Sequence, residues 1–225
     1  RYAGCRHPMS ILNTIRALFT AGKGIAVGLP NADSMRDPLK LFDAWFEGAK
    51  NSGLLLPESM MLATATNDGK PSSRMVLLKS FDDQGFVFFT NYGSRKASEL
   101  DTNPFASLLF HWPILQRQVR IEGQVERVSR EESSAYFRTR SRGSQIGAWA
   151  SDQSAELDSR QTLESTSKDL KAKYGGREIP LPEFWGGYRL FPSKIEFWQG
   201  RPFRLHDRIV FERTTGSWKT SRLYP

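Results

Sequence analysis

The chain has 225 residues, enough for one domain with a well-filled core or for two small domains at most. Hydrophobic residues make up 39% of the sequence and aromatic residues 12%, which is typical of a globular protein and excludes a disordered chain. Lys and Arg outnumber Asp and Glu by 32 to 24, a formal charge of +8, but no basic run of five or more residues occurs. This pattern favours an anionic partner and argues against a nucleic-acid-binding tract.

Cysteine and histidine are too scarce for several common kinds of site. The single cysteine, Cys5, excludes an internal disulfide and a Cys-rich zinc centre. The three histidines, His7, His111 and His206, are scattered, so no metal site is predicted. No apolar run approaches the roughly 18 residues that span a bilayer, and we expect a cytoplasmic protein that does not bind membranes.

The first 35 residues carry no pattern that assigns them to the core. Residues 11–30 are mildly apolar with few acids, and the sequence starts at Arg1 rather than at Met. We expect residues 1–35 to form an N-terminal extension, mobile or lid-forming, and residues 36–225 to form a single domain. If the extension is the remnant of a processed targeting segment, the location is an organelle instead.

The first helical pattern is "RDPLKLFDAWFEGAKNSG", residues 36–53. Asp37 is a suitable N-cap and Pro38 fits the first turn of a helix. One apolar stripe runs along the segment through Leu39, Phe42, Phe46 and Ala49. The pattern predicts a helix that packs on the core.

A strand-like period follows this helix and returns along the chain. The predicted strands cover residues 60–66, 72–81, 85–91, 105–112 and 117–128 and the segments "GGYRLFP", "KIEFWQG", "RIVFER" and "SWKTSRLYP". Further helices are predicted over residues 94–104, 130–140 and 159–174. The order indicates a mainly β, α+β fold, in which six to eight antiparallel strands form a closed or nearly closed barrel with flanking helices.

The first candidate anion site is "RMVLLK", residues 74–79. Because side chains alternate along a strand, Arg74 and Lys79 are expected on opposite faces. A strand with a cation on each apolar face needs cover on both sides, from the core and from a ligand or second subunit. The alternative is that both cations lie at strand ends and reach water.

The second candidate is "TNYGSRKASEL", residues 90–100. Gly93 permits a sharp turn after the strand, and Ser94 begins a helix with Arg95 and Lys96 in its first turn. Free N–H groups and the helix dipole already attract an anion to a helix N-terminus. Cations in that turn oppose the usual preference for acids, so a phosphate that neutralises them is the better explanation than a plain helix start.

The third candidate is "AYFRTRSRGSQ", residues 135–145. Tyr136 and Arg140 are four residues apart and share a helix face, and Ser144 follows Gly143 at a distance that allows it to turn back. A phenol, a guanidinium and a hydroxyl suit a phosphate monoester, although this spacing is also common on exposed helices. With the second candidate, it indicates a phosphorylated cofactor and a phosphorylated substrate.

Several motifs of hydrolytic and kinase chemistry are missing from the sequence. There is no P-loop, no Gly-x-Gly-x-x-Gly at a strand–helix junction and no Gly-x-Ser-x-Gly elbow. Beyond His206 and Asp207 the candidate sites contain little acid–base equipment. The difficult chemistry is therefore expected to come from a bound cofactor.

Seven motifs occur in one order: "RMVLLK", "FFTNYGSRKASEL", "NPFASLLFHW", "RQVRIEG", "YFRTRSRGSQIGAWASDQS", "WGGYRL" and "IEFWQGRPFRLHDR". From about residue 37 to the C-terminus the chain resembles the pyridoxine/pyridoxamine 5'-phosphate oxidase family. The resemblance implies a split β-barrel of the FMN-binding type. It also implies a homodimer that binds FMN at the subunit interface, with both subunits lining each site.

The resemblance implies the roles of individual residues, carried over motif by motif. FMN would be bound by Arg74, Met75, Val76, Leu77, Phe89, Thr90, Arg95, Lys96 and Gln118, and from the partner subunit by Gln153, Ser154, Trp198 and Arg208. The substrate phosphate would be held by Lys79, Tyr136, Arg140 and Ser144. The substrate ring would be contacted by Leu205 and by the catalytic pair Arg204 and His206.

The implied reaction converts pyridoxine 5'-phosphate or pyridoxamine 5'-phosphate to pyridoxal 5'-phosphate. The hydride from C4' passes to the flavin, and O2 then reoxidises the flavin to give H2O2. The sequence departs from the family pattern at two positions, Phe19 in place of an expected tyrosine and Leu56 in place of an expected acid. Both departures concern lid closure and substrate affinity.

Three rival functions stay open at the level of sequence. A split-barrel flavoprotein reductase with another acceptor would share the flavin site, but it has no need of the whole substrate set. A non-catalytic carrier of FMN or pyridoxal phosphate would share both sites and would show no turnover. A basic nucleic-acid binder would purify colourless and lose binding steeply with salt.

Overall fold

The computed structural model describes residue 29 and residues 37–225. The helices are α1 (Pro38–Lys50), α2 (Arg95–Thr102), α3 (Arg130–Thr139), α4 (Arg142–Ala150) and α5 (Arg160–Tyr174). The strands are β1 (Ser59–Ala65), β2 (Pro71–Leu77), β3 (Ser80–Asp82), β4 (Gly85–Asn91), β5 (Phe105–Trp112), β6 (Arg117–Arg127), β7 (Trp185–Gln199), β8 (Asp207–Thr214) and β9 (Ser217–Leu223).

The nine strands of the described residues belong to one sheet in the order β2-β1-β5-β6-β7-β4-β3. Strand β8 pairs with β7, and β9 pairs with β8. The pairings β3–β4, β4–β7, β7–β8 and β8–β9 are antiparallel. The mainly β fold with flanking helices is thus as predicted, with one strand more than the expected range of six to eight.

Two strand boundaries differ from the sequence prediction. The segment 72–81 is not one strand, because β2 ends at Leu77 and β3 begins at Ser80. Conversely, "GGYRLFP" and "KIEFWQG" form the single strand β7 of 15 residues. Pro192 and Ser193 lie inside β7, and their turn-like chemistry explains why the sequence suggested a break there.

The chain divides into two compact units. The first contains residues 37–62, Ser107–Glu122 and Pro192–Pro225. Helix α1 belongs to it and begins as predicted, since an Asp37 carboxylate oxygen accepts hydrogen bonds from the N–H groups of Leu39 at 3.0 Å and Lys40 at 3.3 Å.

The buried face of α1 is shifted from the predicted stripe. Its buried residues include Leu41, Phe42, Trp45 and Ala49, whereas Leu39 and Phe46 are only partly buried. The ring of Phe42 meets that of Phe110 at 5.1 Å, and the ring of Trp45 meets that of Phe197 at 5.2 Å, both edge to face. These contacts anchor α1 in the core of the first unit.

The second unit contains Ala63–Ala106 and Gly123–Phe191. Strand β4 pairs with β7 in the register Phe86–Leu190 to Asn91–Trp185 and is almost wholly buried. A hydrophobic cluster lies where the helices pack on these strands, formed by Phe137, Ile146, Tyr174, Ile179 and Trp185. This cluster fixes the helices beside the end of β4, where the candidate site begins.

Helix α4 was not predicted from the sequence. Gly143 and Gly147 lie in its nine residues and lower the intrinsic helix propensity of the segment. Tertiary contacts override this preference, because Ile146 is buried in the hydrophobic cluster and the Gln145 side chain donates a hydrogen bond to the Phe137 carbonyl at 2.9 Å. The segment is therefore helical through its packing.

Some predictions fall on residues that the structure does not describe. Apart from residue 29, the proposed extension lies outside the described residues, and so does the position of Phe19. The description of residues 36–225 as a single domain stays a prediction beside the two compact units. Within the described part of the chain, none of the helices has the length and apolar character needed to cross a membrane.

Candidate active site

A cavity of about 1000 Å³ lies within the second unit. Three stretches line it: strand β2 with the turn that follows, the junction of β4 and α2, and the helices α3 and α4 with the loop after them. These stretches bring together fourteen predicted site residues, namely Arg74, Met75, Val76, Leu77, Lys79, Phe89, Thr90, Arg95, Lys96, Tyr136, Arg140, Ser144, Gln153 and Ser154.

The cavity corrects the expectation for "RMVLLK". Arg74 and Lys79 were expected on opposite faces of one strand, but both line the same cavity. The alternation of side chains does not extend to Lys79, because β2 ends at Leu77 and Lys79 lies in the turn before β3. Met75 also lines the cavity, and 63% of its surface is exposed, so this edge strand presents apolar as well as cationic groups.

The turn between β4 and α2 forms one part of the cavity wall. The Asn91 side chain accepts a hydrogen bond from the Gly93 N–H at 2.7 Å, which closes the turn. Ser94 is the N-cap by position, but its hydroxyl donates to the Asn91 carbonyl and does not cap the helix. The Arg95 N–H donates instead to the Ser154 hydroxyl at 3.2 Å.

Lys96 is the buried cation of this wall. Its ammonium group donates to Thr90 Oγ1 at 3.0 Å, Ser94 Oγ at 3.1 Å and Gln153 Oε1 at 2.9 Å. Burial, together with the positive charge of Arg74, lowers the pKa of Lys96 to about 8. An anion beside the ammonium group would favour its protonated form.

A buried carboxylate, Glu99, lies behind the cationic residues. Its Oε1 accepts from Arg95 Nε at 2.8 Å, and its Oε2 lies 3.3 Å from Arg74 Nη2. Its Oε2 also accepts from the hydroxyls of Thr64 at 2.5 Å and Ser72 at 2.6 Å. Burial alone would raise the pKa of Glu99, but these hydrogen bonds outweigh it and lower the pKa to about 2.

An aromatic stack forms another part of the wall. The ring of Phe89 stacks on Tyr136 at 4.1 Å and on Trp185 at 5.4 Å. The guanidinium of Arg140 lies 4.7 Å from the Trp185 ring, and the ammonium of Lys79 lies 5.9 Å from the Tyr136 ring. Two cations of the predicted substrate set thus flank the stack.

Arg140 carries an unsatisfied donor. Its Nη1 is buried and has no hydrogen-bond partner in the described part of the chain. Burial also lowers the pKa of this guanidinium. A buried N–H without an acceptor is costly, and a phosphate oxygen would satisfy it. Ser144 lines the same cavity at the start of α4, with its hydroxyl 2.9 Å from that of Ser141.

The remaining predicted residues lie in the first unit. They are absent from the lining of this cavity among the described residues: Gln118, Trp198, Arg204, Leu205, His206 and Arg208. The sequence expectation also assigned Gln153 and Ser154 to the partner subunit. That expectation is corrected, because they bond to Lys96 and Arg95 of their own chain.

The residues of the first unit form a group of their own around the loop between β7 and β8. The imidazole of His206 lies 4.6 Å from the Trp198 ring, and its Nδ1 accepts from the Arg201 N–H at 3.2 Å. In the neutral imidazole the proton is therefore on Nε2. Arg204 and Leu205 are exposed beside them.

A second buried carboxylate, Glu196, fixes Arg208. Its Oε1 accepts from Arg208 Nε at 2.8 Å, and its Oε2 accepts from Arg120 Nη2 at 2.5 Å. Sequence reasoning missed Glu99 and Glu196. The four-residue spacing of Arg95 and Glu99 on a predicted helix was a usable signal for the first. Nothing local in the sequence pairs Glu196 with Arg120, which is far away in the chain.

The loop after β7 contains two residues with strained backbone. Phe203 has φ 58° and Arg204 has φ 64°, both in the left-handed region. Bulky residues rarely adopt this conformation, and such strain is concentrated at functional sites. The Phe203 side chain is 92% exposed.

Two family models match the chain. One, described as pyridoxamine 5'-phosphate oxidase, matches residues 47–174, and one, described as the C-terminal dimerisation region of pyridoxine 5'-phosphate oxidase, matches residues 185–225. The chain belongs to the pyridoxamine 5'-phosphate oxidase family. The family resemblance seen in the sequence motifs is therefore confirmed.

Relatives within this family cover nearly the whole chain. The pyridoxine/pyridoxamine 5'-phosphate oxidase of Psychromonas ingrahamii is 57% identical over 217 residues, which are 96% of this chain and 100% of that protein. The protein of the same name from Rubrobacter xylanophilus is 54% identical and covers 88% of this chain and 91% of its own.

Two solved structures share the fold of the pyridoxamine 5'-phosphate oxidase family. PhzG of Burkholderia lata, in complex with tetrahydrophenazine-1-carboxylic acid, is 35% identical with a TM-score of 0.85 and covers 90% of this chain and all of its own. An FMN-binding protein from Nostoc punctiforme related to pyridoxamine 5'-phosphate oxidase is 18% identical with a TM-score of 0.68, covering 85% of this chain and 100% of its own. The predicted split β-barrel is confirmed.

Proposed function

We propose that the chain binds FMN and oxidises pyridoxine 5'-phosphate and pyridoxamine 5'-phosphate to pyridoxal 5'-phosphate. O2 accepts the electrons and H2O2 is released, and the amine substrate also consumes water and releases ammonia. The observation that carries the proposal is a single cavity lined by two sets of cationic and hydroxyl side chains, one on β2 and α2 and the other on α3 and α4.

The first set fits the phosphate of FMN. Arg74, Arg95 and Lys96 line the cavity around the N-terminus of α2, where backbone N–H groups and the helix dipole add to their charge. Thr90 and Ser154 contribute hydroxyl groups. The apolar residues of β2 and the stacked rings behind them suit the flat face of the isoalloxazine.

The second set fits the phosphate of the substrate. Arg140 brings a buried guanidinium with an unpartnered Nη1, and Tyr136 and Ser144 bring hydroxyl groups on the same cavity wall. Lys79 adds a second positive charge. A phosphate monoester carries close to two negative charges at pH 7 and accepts hydrogen bonds through three oxygens, which matches these donors.

FMN, when bound, supplies the redox chemistry by accepting the hydride and passing electrons to O2. The chain itself holds the two reactants in a fixed orientation and excludes water from between them, which removes much of the entropic part of the barrier. Arg204 and His206 contact the substrate ring from the partner subunit. Because its Nδ1 accepts a hydrogen bond, the neutral imidazole of His206 carries its proton on Nε2, which would donate to the substrate. Hydride transfer needs no strong general base, and we assign none.

The family match at residues 185–225 supports a homodimer, since that model describes a dimerisation region. Trp198 and Arg208 lie in this region. We assign them to the flavin of the partner subunit, together with Gln118. Each complete site then takes its phosphate-binding cavity from one protomer and its aromatic and guanidinium cover from the other.

A second candidate substrate is a reduced tricyclic carboxylic acid. The similarity to PhzG, solved with tetrahydrophenazine-1-carboxylic acid, favours it. Such a molecule would use the flavin but has no phosphate for the Tyr136, Arg140 and Ser144 group. The two candidates therefore differ in how strongly an Arg140→Ala change affects turnover.

The test is the visible absorption spectrum of the purified protein, recorded without air before and after addition of pyridoxine 5'-phosphate. A flavin band that bleaches on addition and returns with air supports the proposal. A band that ignores this substrate but bleaches with a reduced phenazine carboxylic acid supports the second candidate. A protein that stays colourless after incubation with FMN contradicts both.

Two variants separate the predicted roles. Arg204→Ala should retain the flavin band and lose most turnover, because the residue contacts only the substrate. Arg95→Ala combined with Lys96→Ala should lose the flavin itself, because both cations bind its phosphate. Normal turnover of the Arg204 variant would contradict its assignment.

A further inference from the structure

We propose that Glu99 is a positioning residue of the cofactor site, which holds Arg74 and Arg95 in the orientation that receives the phosphate of FMN. The inference rests on the proposed function, since it requires FMN in the cavity. It adds a role for a residue that does not line the cavity and to which the sequence analysis assigned no function.

The geometry gives Glu99 contact with both guanidiniums at once. Only 4% of its surface is exposed, and its two oxygens are divided between the two partners: Oε1 accepts from Arg95 Nε and Oε2 lies 3.3 Å from Arg74 Nη2. In a guanidinium the Nε–H and one N–H of the neighbouring Nη group lie on the same edge, so a bond at Nε occupies that edge and leaves the N–H groups at the end of the fork available. Glu99 therefore holds one edge of the Arg95 guanidinium and leaves the donors at its end for a ligand.

Two hydroxyl groups hold the carboxylate of Glu99 in place. Thr64 and Ser72 both donate to Oε2, and the same hydroxyls accept from the guanidinium of Arg74, from Nη1 to Thr64 at 2.5 Å and from Nη2 to Ser72. Strands β1 and β2 and helix α2 are thus joined through one polar cluster. The orientation of Arg74 is set by three neighbours before any ligand arrives.

The charge balance of the cluster matches an FMN phosphate. Three cations, Arg74, Arg95 and Lys96, and the carboxylate of Glu99 give a net charge of about +2, and a phosphate monoester carries close to −2 at pH 7. Without Glu99 no negative charge would offset the repulsion among the three cations. The charge that now favours protonated Lys96 would also be lost. Removal of the carboxylate therefore does not simply strengthen the attraction for phosphate.

The test compares FMN with riboflavin, which has the same ring system without the phosphate. Full-length protein stripped of flavin is titrated with each compound, and the dissociation constant is read from quenching of flavin fluorescence. Glu99→Gln keeps the shape and removes the charge, whereas Glu99→Asp keeps the charge and shortens the reach. Asp101→Asn is the matched control, because it lies on the same helix but bonds to Arg127 and Tyr188, outside the cavity lining.

We expect both Glu99 variants to raise the Kd for FMN by about tenfold or more, which is the scale of one lost charge-assisted hydrogen bond to the phosphate. The Kd for riboflavin should change by less than about twofold. Asp101→Asn should change neither value. A merely structural role would weaken both flavins together, so the ratio of the two constants reports positioning.

Three outcomes would overturn the inference. One is FMN binding by Glu99→Gln that equals or exceeds that of the unaltered protein. Another is a parallel loss of FMN and riboflavin. The third is a Glu99→Asp variant with unaltered FMN binding, which would show that charge alone matters. Failure of the unaltered protein to bind FMN would instead contradict the proposed function as well.

If Glu99→Gln does not fold, Ser72→Ala provides the second measurement. It removes one donor to the carboxylate and one acceptor of Arg74 while leaving all charges in place. The same selective rise in the Kd for FMN is expected, by a smaller factor. An unchanged ratio of the FMN and riboflavin constants in this variant would contradict the inference.

Discussion

Lys96 shows how burial sets the chemistry of a single side chain. The sequence placed it correctly in the first turn of a helix, but its spacing gave no sign that only 8% of its surface is exposed. The burial arises from the packing of the loop after α4, whose Gln153 accepts a hydrogen bond from the ammonium group. Lys96 and Gln153 are 57 positions apart in the chain, so no local pattern in the sequence indicates their contact.

We predict that the affinity for FMN falls as the pH rises above about 8. The pKa of Lys96 is about 8 in the flavin-free chain, and the phosphate of FMN stabilises the protonated form and raises that pKa. Binding therefore takes up a proton above pH 8, and the Kd for FMN rises by up to about tenfold per pH unit. Fluorescence titrations between pH 7 and 9 measure this slope.

The control for the pH dependence is Lys96→Met, which has no titrating group at this position. It should bind FMN more weakly at pH 7 and show a flat profile up to pH 9. A slope in the variant equal to that of the unaltered protein would assign the proton to another group and contradict the prediction.

Phe203 gives a second prediction for a single residue. A residue with a Cβ loses about 1–2 kcal/mol in the left-handed region, and asparagine tolerates this region better than phenylalanine. The Phe203 ring is almost fully exposed in the single chain, so its removal costs little packing there. Phe203→Asn should therefore raise the free energy of unfolding by about 0.5–1 kcal/mol.

Urea unfolding of the two proteins at low concentration checks the Phe203 prediction. Phe105→Asn is the control, because that ring is also exposed but belongs to the regular strand β5. The control should be neutral or destabilised, since asparagine is unfavourable in strands. A loss of stability for Phe203→Asn would mean that its ring packs against another chain.

At the scale of whole elements, the sequence predicted the regular strands and the capped helices and missed what packing decides. Helix α1 was visible through Asp37 and Pro38, whose chemistry is local. Helix α4 was invisible because its two glycines disfavour a helix and Ile146 is buried only through a distant cluster. In the site, fourteen predicted residues line one cavity, whereas the carboxylates Glu99 and Glu196 were not predicted from the sequence.

Gly123 marks a position where two strands approach too closely for any side chain. A Cβ at this position would collide with the backbone carbonyl of Phe191 on β7. Backbone atoms cannot move aside as a flexible side chain can, so the pairing of β6 with β7 would have to shift. We predict that Gly123→Ala destabilises the protein by about 2 kcal/mol or more, on the scale of an overpacked core.

Thermal unfolding of Gly123→Ala measures this loss. Gly143→Ala is the matched control, because a Cβ there meets no atom within 4 Å and the residue lies in helix α4. The control should be neutral or slightly stabilised through its higher helix propensity. Equal melting temperatures for Gly123→Ala and the unaltered protein would refute the close approach.

At the scale of the whole molecule, the site residues fall into two sets that the chain keeps in different compact units. The cavity with its cations belongs to the second unit, and Trp198, Arg204, His206 and Arg208 belong to the first. The resemblance in the sequence motifs assigned Trp198 and Arg208 to the partner subunit and left the subunit of Arg204 and His206 open. The proposed homodimer joins a cavity of one protomer to the second set from its partner.

This arrangement predicts complementation between two inactive variants. Arg140→Ala disables the cavity, and Arg204→Ala disables the partner's contribution, so homodimers of either variant should be nearly inactive. In a mixed dimer one site carries both changes and the other carries neither. After dissociation and random reassociation of equal amounts, half of the dimers are mixed and half of their sites are intact, which restores about 25% of normal turnover.

The measurement is the rate of pyridoxal 5'-phosphate formation before and after the two variants are refolded together. A mixture of Arg140→Ala with a second cavity variant, Tyr136→Phe combined with Lys79→Ala, is the control. Every site of that mixed dimer keeps one altered cavity, so its activity should not rise above that of the separate variants. Lack of recovery in the first mixture, with mixed dimers present, would mean that each site is complete within one chain.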